Sequence, residues 1–470
     1  MKYLKGNKWL LALLIMTFLS GFAGIPSFRE TDPEVLQLQE ELQKDSNNPQ
    51  IRAELAAVYF EKYKKGKQLH YLEAAIGEAR KAIRLNPDCG LAHFILSLAL
   101  IEKGTESGNE TLLDEAVREY REALRAGPAL AVADRYPPVQ FLAATKYLAL
   151  SERDSTFIDD AVRELREAIR VKQGYAPSHV ILGGIYYHLK GKKGPAIREM
   201  REALQLDPDY LEAHRWLGGI YVQELKRKGG RGDDETIALA IEQYRQVLRI
   251  DPADDEAHRN LAWLYRYRGR FEVSFAEATR ALTLKKCAEN HKALGEAHLW
   301  KGNYEGALEE FEKAVRENPD YEEAYYSKAF TYYLQRRFNN ALEVVKRCIE
   351  FEDPPRIHTI LLHYLALNAV GNDAEARKLL EECARTVKGE AWEAHLLSYL
   401  RGHLSKSELI ANAEDSWERC EAYFYIGCQY FHKAKREKAK HFFQKAMHMG
   451  SFSTYEYVGA RARLEELRGH

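Results

Sequence analysis

Five histidines, His93, His179, His214, His258 and His291, each stand near the start of a similar stretch, and a string of this kind invites a metal reading. The spacing argues against it. Packed helices lie about 10 Å apart, whereas zinc needs its ligands within about 2.1 Å of one ion. Cys420 and Cys428 fall eight residues apart on one expected helix, about 12 Å of rise and too far to bridge. No CxxC, HExxH, P-loop, GxSxG or glycine-rich dinucleotide turn occurs. No metal, cofactor or catalytic constellation is expected. Recognition chemistry recurs instead. Arg215, Arg259 and Lys292 hold one position in three successive stretches, and Trp263, Trp300, Tyr326, Phe330 and Tyr333 crowd neighbouring positions. Arginine with tryptophan and tyrosine is the composition of binding hot spots, which offer large area with few rotors.

The elements that must carry these residues repeat. "EAHRWLGGIYVQ" (212–223) is echoed by "EAHRNLAWLYRY" (256–267), "ENHKALGEAHLW" (289–300) and "EEAYYSKAFTYY" (322–333). A second helix follows each, with a small residue, a large one, a small one and often a proline. Ala240, Tyr244, Val247 and Pro252 show this order, as do Ala307, Phe311, Ala314 and Pro319. Gly218 and Gly219 interrupt one first helix, where glycine costs about 1 kcal/mol relative to alanine. A small residue there lets the two helices of a unit approach closely. Substitution of Gly218 by Leu is expected to overpack that crossing at a cost of roughly 1–3 kcal/mol.

These positions resemble the tetratricopeptide repeat, a 34-residue helix-turn-helix unit. The resemblance implies an all-α, right-handed superhelical solenoid of such repeats. It also implies a concave surface lined by first helices. On that surface it places Arg215, Arg259 and Lys292 in a cationic row. Trp263, Arg266, Tyr267, Trp300, Tyr326, Phe330 and Tyr333 continue the row into an aromatic wall. Glu212, Glu256, Glu289 and Glu323 temper its charge. An extended peptide with acidic and apolar residues is the expected ligand. The alternative is that these side chains pack within and between units. The carboxylate clamp of the same family is incomplete. Asn260 occupies its middle place, but Arg215 with Gly219 and Glu289 with Ala293 stand where other members are needed, so chaperone-tail binding is not expected.

The 470 residues carry 69 basic and 70 acidic side chains, a formal charge of −1 that makes no case for nucleic acid. Residues 1–27 have Lys2, Lys5 and Lys8 ahead of an uncharged run that extends over 9–28, the layout of a secretory signal or an uncleaved membrane anchor. A leading helix over 33–45 and about nine helical pairs are expected over 28–388, and a helical pair, a last repeat and a capping helix over 389–470. The stretch 129–160, with Pro137 and Pro138, fits the repeat worst. Long turns at 62–71, 103–111 and 226–236 are expected to line one edge. The Glu- and Arg-rich segment 453–467 reads as a polar cap over the last apolar face. "RGD" (231–233), "NET" (109–111) and "KAKREKAK" (433–440) carry little weight.

"SYLRGHLSKSEL", "EAYFYIGCQYF" and "STYEYVGARARLEEL" are similar to the end of the new-lipoprotein-I type of bacterial periplasmic repeat proteins. That resemblance implies an envelope adaptor that docks proteases and cell-wall hydrolases. No cysteine near 20–28 offers that family's lipid anchor. The expected function is a non-catalytic scaffold, periplasmic or held at the inner membrane only by its N-terminal segment, with protein or peptide partners. The alternatives are an assembly factor of secretion, pilus or cell-wall machinery, and an accessory subunit that delivers substrates to a protease or peptidoglycan hydrolase.

Overall fold

A computed structural model describes residues 33–107, 109–126, 141, 143–144, 147–148, 155–171, 174–227, 234–351, 356–386, 392–450, 452 and 454–468. The signal or anchor at 1–27, Pro137 with Pro138, and the RGD turn lie outside them. The described elements are 23 α-helices without a strand among them. They fall into two compact units, Met1–Leu217 and Gly218–His470.

In the first unit α1 (Pro33–Lys44) precedes the pairs α2 (Pro49–Gly66) with α3 (Leu69–Leu85) and α4 (Gly90–Ser107) with α5 (Glu110–Ala126). Then come α6 (Phe157–Val171) and the pair α7 (Ala176–His188) with α8 (Lys193–Leu206). The unit boundary falls within α9 (Leu211–Arg227). The second unit continues with α10 (Asp234–Ile250) and the pairs α11 (Asp255–Tyr267) with α12 (Phe271–Leu284), and α13 (Ala288–Lys301) with α14 (Tyr304–Glu317). Next are α15 (Glu322–Leu334) with α16 (Phe338–Phe351) and α17 (Ile357–Ala369) with α18 (Asp373–Thr386). Two shorter helices, α19 (Trp392–Leu400) and α20 (Lys406–Asn412), precede α21 (Ser416–His432), α22 (Arg436–His448) and α23 (Tyr455–Arg468).

Local chemistry starts and stops these helices. The Asp254 carboxylate accepts from the Ala257 amide, and the Asn303 side chain accepts from Gly306, each satisfying an orphan donor of a first turn. Ser405 and Glu408 form a reciprocal capping box at α20. Gly302 ends α13 at φ 81°, a left-handed conformation that glycine adopts without strain.

The small-large-small pattern is buried in the second helices that carry it most clearly. Ala240, Tyr244 and Val247 are all core residues, as are Ala307, Phe311 and Ala314. A Cβ placed on Gly218 would sit 3.0 Å from the Tyr244 ring. Close approach, rather than flexibility, explains that glycine. Its neighbour Gly219 faces open space.

The histidines latch the pairs together. His93 Nδ1 lies 2.6 Å from Glu119, His179 2.9 Å from Glu199, His258 2.6 Å from Glu277 and His291 2.6 Å from Glu310. Nε2 of His93, His214 and His258 faces a proline carbonyl of the preceding turn, at Pro87, Pro208 and Pro252 respectively. Each partner Glu stands three residues after the small residue of its second helix, a signal that was present in the sequence.

The end of the chain differs from expectation. The compact second unit runs through the register slip near 388, because α23 returns to earlier repeats. It packs on α22, α21 and α15. Eight of its 14 residues are buried, Glu456 and Arg463 among them, so it is an internal element and not a polar cap.

Candidate functional site

A hollow of about 330 Å³ opens between the C-terminal half of α9 and helices α11 and α13. Gly219, Lys226, Arg259, Trp263 and Lys292 line it, with Glu256, Glu289 and Glu323 at the margin. First-helix residues reach it because positions three and four apart share a helix face. Arg259 donates to Asn290 Oδ1 at 3.0 Å, and Asn290 in turn donates to Asp255 Oδ2 at 2.8 Å. This chain fixes the guanidinium while leaving about a quarter of its side chain exposed. Trp263 packs on Tyr267 with ring centroids 4.3 Å apart, and the Lys226 ammonium lies 5.7 Å from the Trp263 ring centroid.

One wall is a buried ionic cluster. Arg266 Nη1 donates to Glu296 Oε2 at 2.6 Å, and Lys292 Nζ meets Glu296 Oε1 at 2.9 Å. Burial alone pushes the Glu296 carboxyl up, but the two cations outweigh it and hold it down at about 2. The Arg266 guanidinium also lies 4.2 Å from the centroid of Trp300. Lys226 is different. Its side chain is exposed, yet its ammonium is crowded by neighbouring groups and repelled by Lys292, and these effects outweigh the attraction of Glu323 and Glu296 to lower its proton affinity. No carboxylate among the described residues forms an ion pair with it.

The structure separates the ten candidate residues. Arg259, Trp263, Arg266 and Lys292 line the hollow, and Tyr267 supports Trp263. Arg215 lies on the N-terminal half of α9, in the first unit, and is not among the lining residues.

The aromatic wall is corrected. It is not an open surface, because α23 is docked on it. Trp300 is 1% exposed, Phe330 3% and Tyr333 5%. Trp300 Nε1 donates to the Phe452 carbonyl at 2.6 Å. Tyr455 inserts its ring between Trp300, Tyr326 and Phe330, with centroid distances of 5.1, 5.0 and 5.0 Å. Its hydroxyl donates to Glu296 Oε1 at 3.2 Å and pairs with Ser327 Oγ at 2.7 Å. Arg463 Nη2 donates to the Tyr333 carbonyl at 3.0 Å. A Cβ on Gly459 would sit 2.6 Å from the Phe424 ring, so α23 lies as close as a glycine allows.

The sequence reading missed this intramolecular occupant. The available signal was the run Tyr455, Tyr457, Val458, Gly459 and Ala460, which puts apolar or small residues on several faces of one helix. Among the described residues no cluster of His, Cys, Asp and Glu is arranged to hold a metal, and no helix is long and apolar enough to cross a membrane.

Comparison with known proteins bears on the repeats. Residues 70–131 match a family described as tetratricopeptide repeat, and 295–335 match one described as TPR repeat. The chain is 26% identical over 216 residues to the lipoprotein NlpI homolog of Haemophilus influenzae, which covers 44% of this chain and 68% of that protein. Among solved structures, PilW, a widely conserved type IV pilus biogenesis factor, is 21% identical, covering 47% of this chain and 97% of its own, with a TM-score of 0.40. A tetratricopeptide repeat protein from Parabacteroides merdae is 16% identical, covering 55% of this chain and 98% of its own, with a TM-score of 0.42. The repeat matches and the packed helical pairs establish tetratricopeptide repeats, the architecture of protein-interaction scaffolds.

Proposed function

We propose that this scaffold is a non-catalytic adaptor of the bacterial cell envelope, and that the hollow between α9, α11 and α13 holds an extended partner segment with acidic and apolar residues. One observation carries the reading. Lys226 is a cation without a carboxylate partner among the described residues, placed over Trp263 and beside Arg259 and Lys292. A partner carboxylate there would relieve the repulsion from Lys292, and an apolar side chain would cover the indole. The acidic margin of Glu256, Glu289 and Glu323 would disfavour a segment with acidic groups throughout, which is selection by repulsion as well as attraction.

Export rests on the charge and apolarity of residues 1–27. The likeness to a lipoprotein homolog supports the envelope setting. The test is capture from envelope extract by the intact chain and by an Arg259→Ala/Trp263→Ala variant, with partners identified by mass spectrometry. Loss of the same partners from a variant of unchanged helicity is expected. The expected long turn at 62–71 is instead helical at both ends, with only Lys67 and Gln68 between α2 and α3. Unchanged capture removes the groove from the reading, and crosslinks concentrated at that α2–α3 junction would move the contact to the edge used by an assembly factor.

A further inference from the structure

A second cavity in the Gly218–His470 unit, of about 680 Å³, lies away from the hollow. Its origin is a shortened helical pair. Helices α17 and α18 have 13 and 14 residues, and α21 and α22 have 17 and 13, but α19 and α20 between them have only nine and seven. The short pair does not fill the layer between its neighbours. Ridges of the adjoining helices are left facing a gap, where a full pair would interdigitate with them.

The gap has an apolar floor and a cationic rim. Tyr364, Leu365, Leu380 and Leu400 are buried or half-buried residues of the floor. The Asn368 and Gln429 amides also line it, and Tyr399 donates to Gln429 Oε1 at 3.0 Å. On the rim Arg401 is already committed to Glu381, with contacts of 2.9 and 2.5 Å. His432 faces Asp373 at 3.5 Å. Arg336 shares Glu466 with Arg463, at 3.1 and 2.8 Å. Arg377 and Lys433 are the remaining cations of the lining, both exposed, and no carboxylate among the described residues pairs with either. Glu381 is thus engaged by Arg401 and Asp373 faces the His432 imidazole, while Arg377 and Lys433 are left without a carboxylate among the described residues.

We infer that this cavity is a second docking site, which takes an acidic protein segment that buries one large apolar or aromatic side chain. The carboxylate of that segment meets Arg377 and Lys433 on the rim, and the side chain enters the gap left by α19 and α20. A polypeptide fits better than a lipid chain. Asn368 Nδ2 already donates to the Tyr364 carbonyl at 2.9 Å and Gln429 Oε1 accepts from Tyr399, but Asn368 Oδ1 and the Gln429 NH2 group keep capacity that a peptide backbone can use and an acyl chain would desolvate without replacement. The site shares no lining residue with the hollow, so its success or failure is independent of the groove reading.

The test uses the full chain and an array of short synthetic peptides in which one phenylalanine is stepped past one or two aspartates, each spot paired with an asparagine version. Retention is measured for the wild-type chain and for a groove-disabled background, Arg259→Glu/Trp263→Ala, alone, with Arg377→Glu/Lys433→Glu, and with Ala369→Trp, which fills the cavity from α17. The expected result is that the groove-disabled chain still retains aspartate peptides, and that this retention falls about tenfold or more on asparagine versions and in either cavity variant. Retention that survives both cavity variants in that background, or no retention of wild type on any spot, overturns the site. Wild-type retention that the groove substitutions alone abolish assigns the binding to the hollow and also overturns it. Binding to phosphatidylglycerol vesicles that the rim variant abolishes, without peptide retention, overturns the choice of a polypeptide.

Discussion

The Trp300 indole nitrogen donates to the Phe452 carbonyl at 2.6 Å, across 152 positions of sequence. This bond joins the first helix of one repeat to the turn that launches the last helix. Around it the Arg266 guanidinium packs on one side of Trp300 and Tyr455 meets its ring edge-on. The groove surface of α15 and of the C-terminal end of α13 is thus occupied by the chain's own end, and the portion beside α9, α11 and the start of α13 stays open to a partner.

Release of α23 should be obtainable from one residue. Gly459→Val places a side chain where Phe424 leaves 2.6 Å. The variant is expected to expose Arg461 and Arg463 to trypsin and to shift tryptophan fluorescence to the red as Trp300 is uncovered. Cleavage at wild-type rate would show that α23 tolerates the larger residue.

The Trp300 bond can be weighed separately. Trp300→Phe keeps much of the apolar area but leaves the Phe452 carbonyl without its donor, a loss of about 1–3 kcal/mol. Urea unfolding of the two proteins measures it, and an unchanged midpoint would mean that water replaces the indole at that carbonyl.

Arg266 and Glu296 are both nearly buried, at 6% exposure each. Arg266→Met leaves the buried Glu296 carboxylate with Lys292, at 2.9 Å, as its remaining cation and is expected to cost about 3 kcal/mol, the low end for breaking a buried pair. Adding Glu296→Gln should recover part of that loss, because the half-compensated charge is gone. A double variant as unstable as the single one would assign the loss to packing of Arg266 on Trp300.

The same carboxylate sets an acid limb. Its folded value of about 2 lies below the ordinary glutamate value of about 4.3. Its contribution is therefore present above pH 4.3 and is lost as pH falls towards 2. Glu296→Gln should flatten stability against pH in that window. His93 runs the other way. The Glu119 hydrogen bond raises its proton affinity against the opposing effect of burial, so its contribution is full below pH 6.5 and fades as pH rises through the folded value. His93→Gln should remove that alkaline-side loss, read as the change in melting temperature between pH 6 and 8.

Overpacking at the first crossing gives a further check. Gly218→Leu should destabilise by roughly 1–3 kcal/mol because the Tyr244 ring already sits 3.0 Å from a Cβ position. Gly219→Ala, which meets nothing within 4 Å, should gain about 1 kcal/mol from helix propensity. Equal effects at both glycines would refute the packing account of this helix.

Much of the architecture was legible because its cause is local. The order of Ala240, Tyr244 and Val247, like that of Ala307, Phe311 and Ala314, reports which residues of a second helix face its partner, and helical periodicity carries that information within a few turns. The cationic part of the groove was legible for the same reason, since Arg259 and Lys292 keep one register in consecutive repeats and do line the hollow. The histidine latches were half legible. The histidines stood out, but the glutamates facing them belong to a second helix and look like ordinary exposed charge until the pair closes.

By itself the sequence determined a row of helical hairpins, their small-against-large seams and the residue types presented along their first helices, because each of these follows from spacing within a repeat. The tertiary structure alone decided which of those residues a partner can reach. Trp300, Phe330 and Tyr333 have the right types at the right spacing, yet α23 covers them. That outcome depends on contacts between segments more than a hundred residues apart, where no periodicity links the two and only close packing of Gly459, Tyr455 and Arg463 selects the mate.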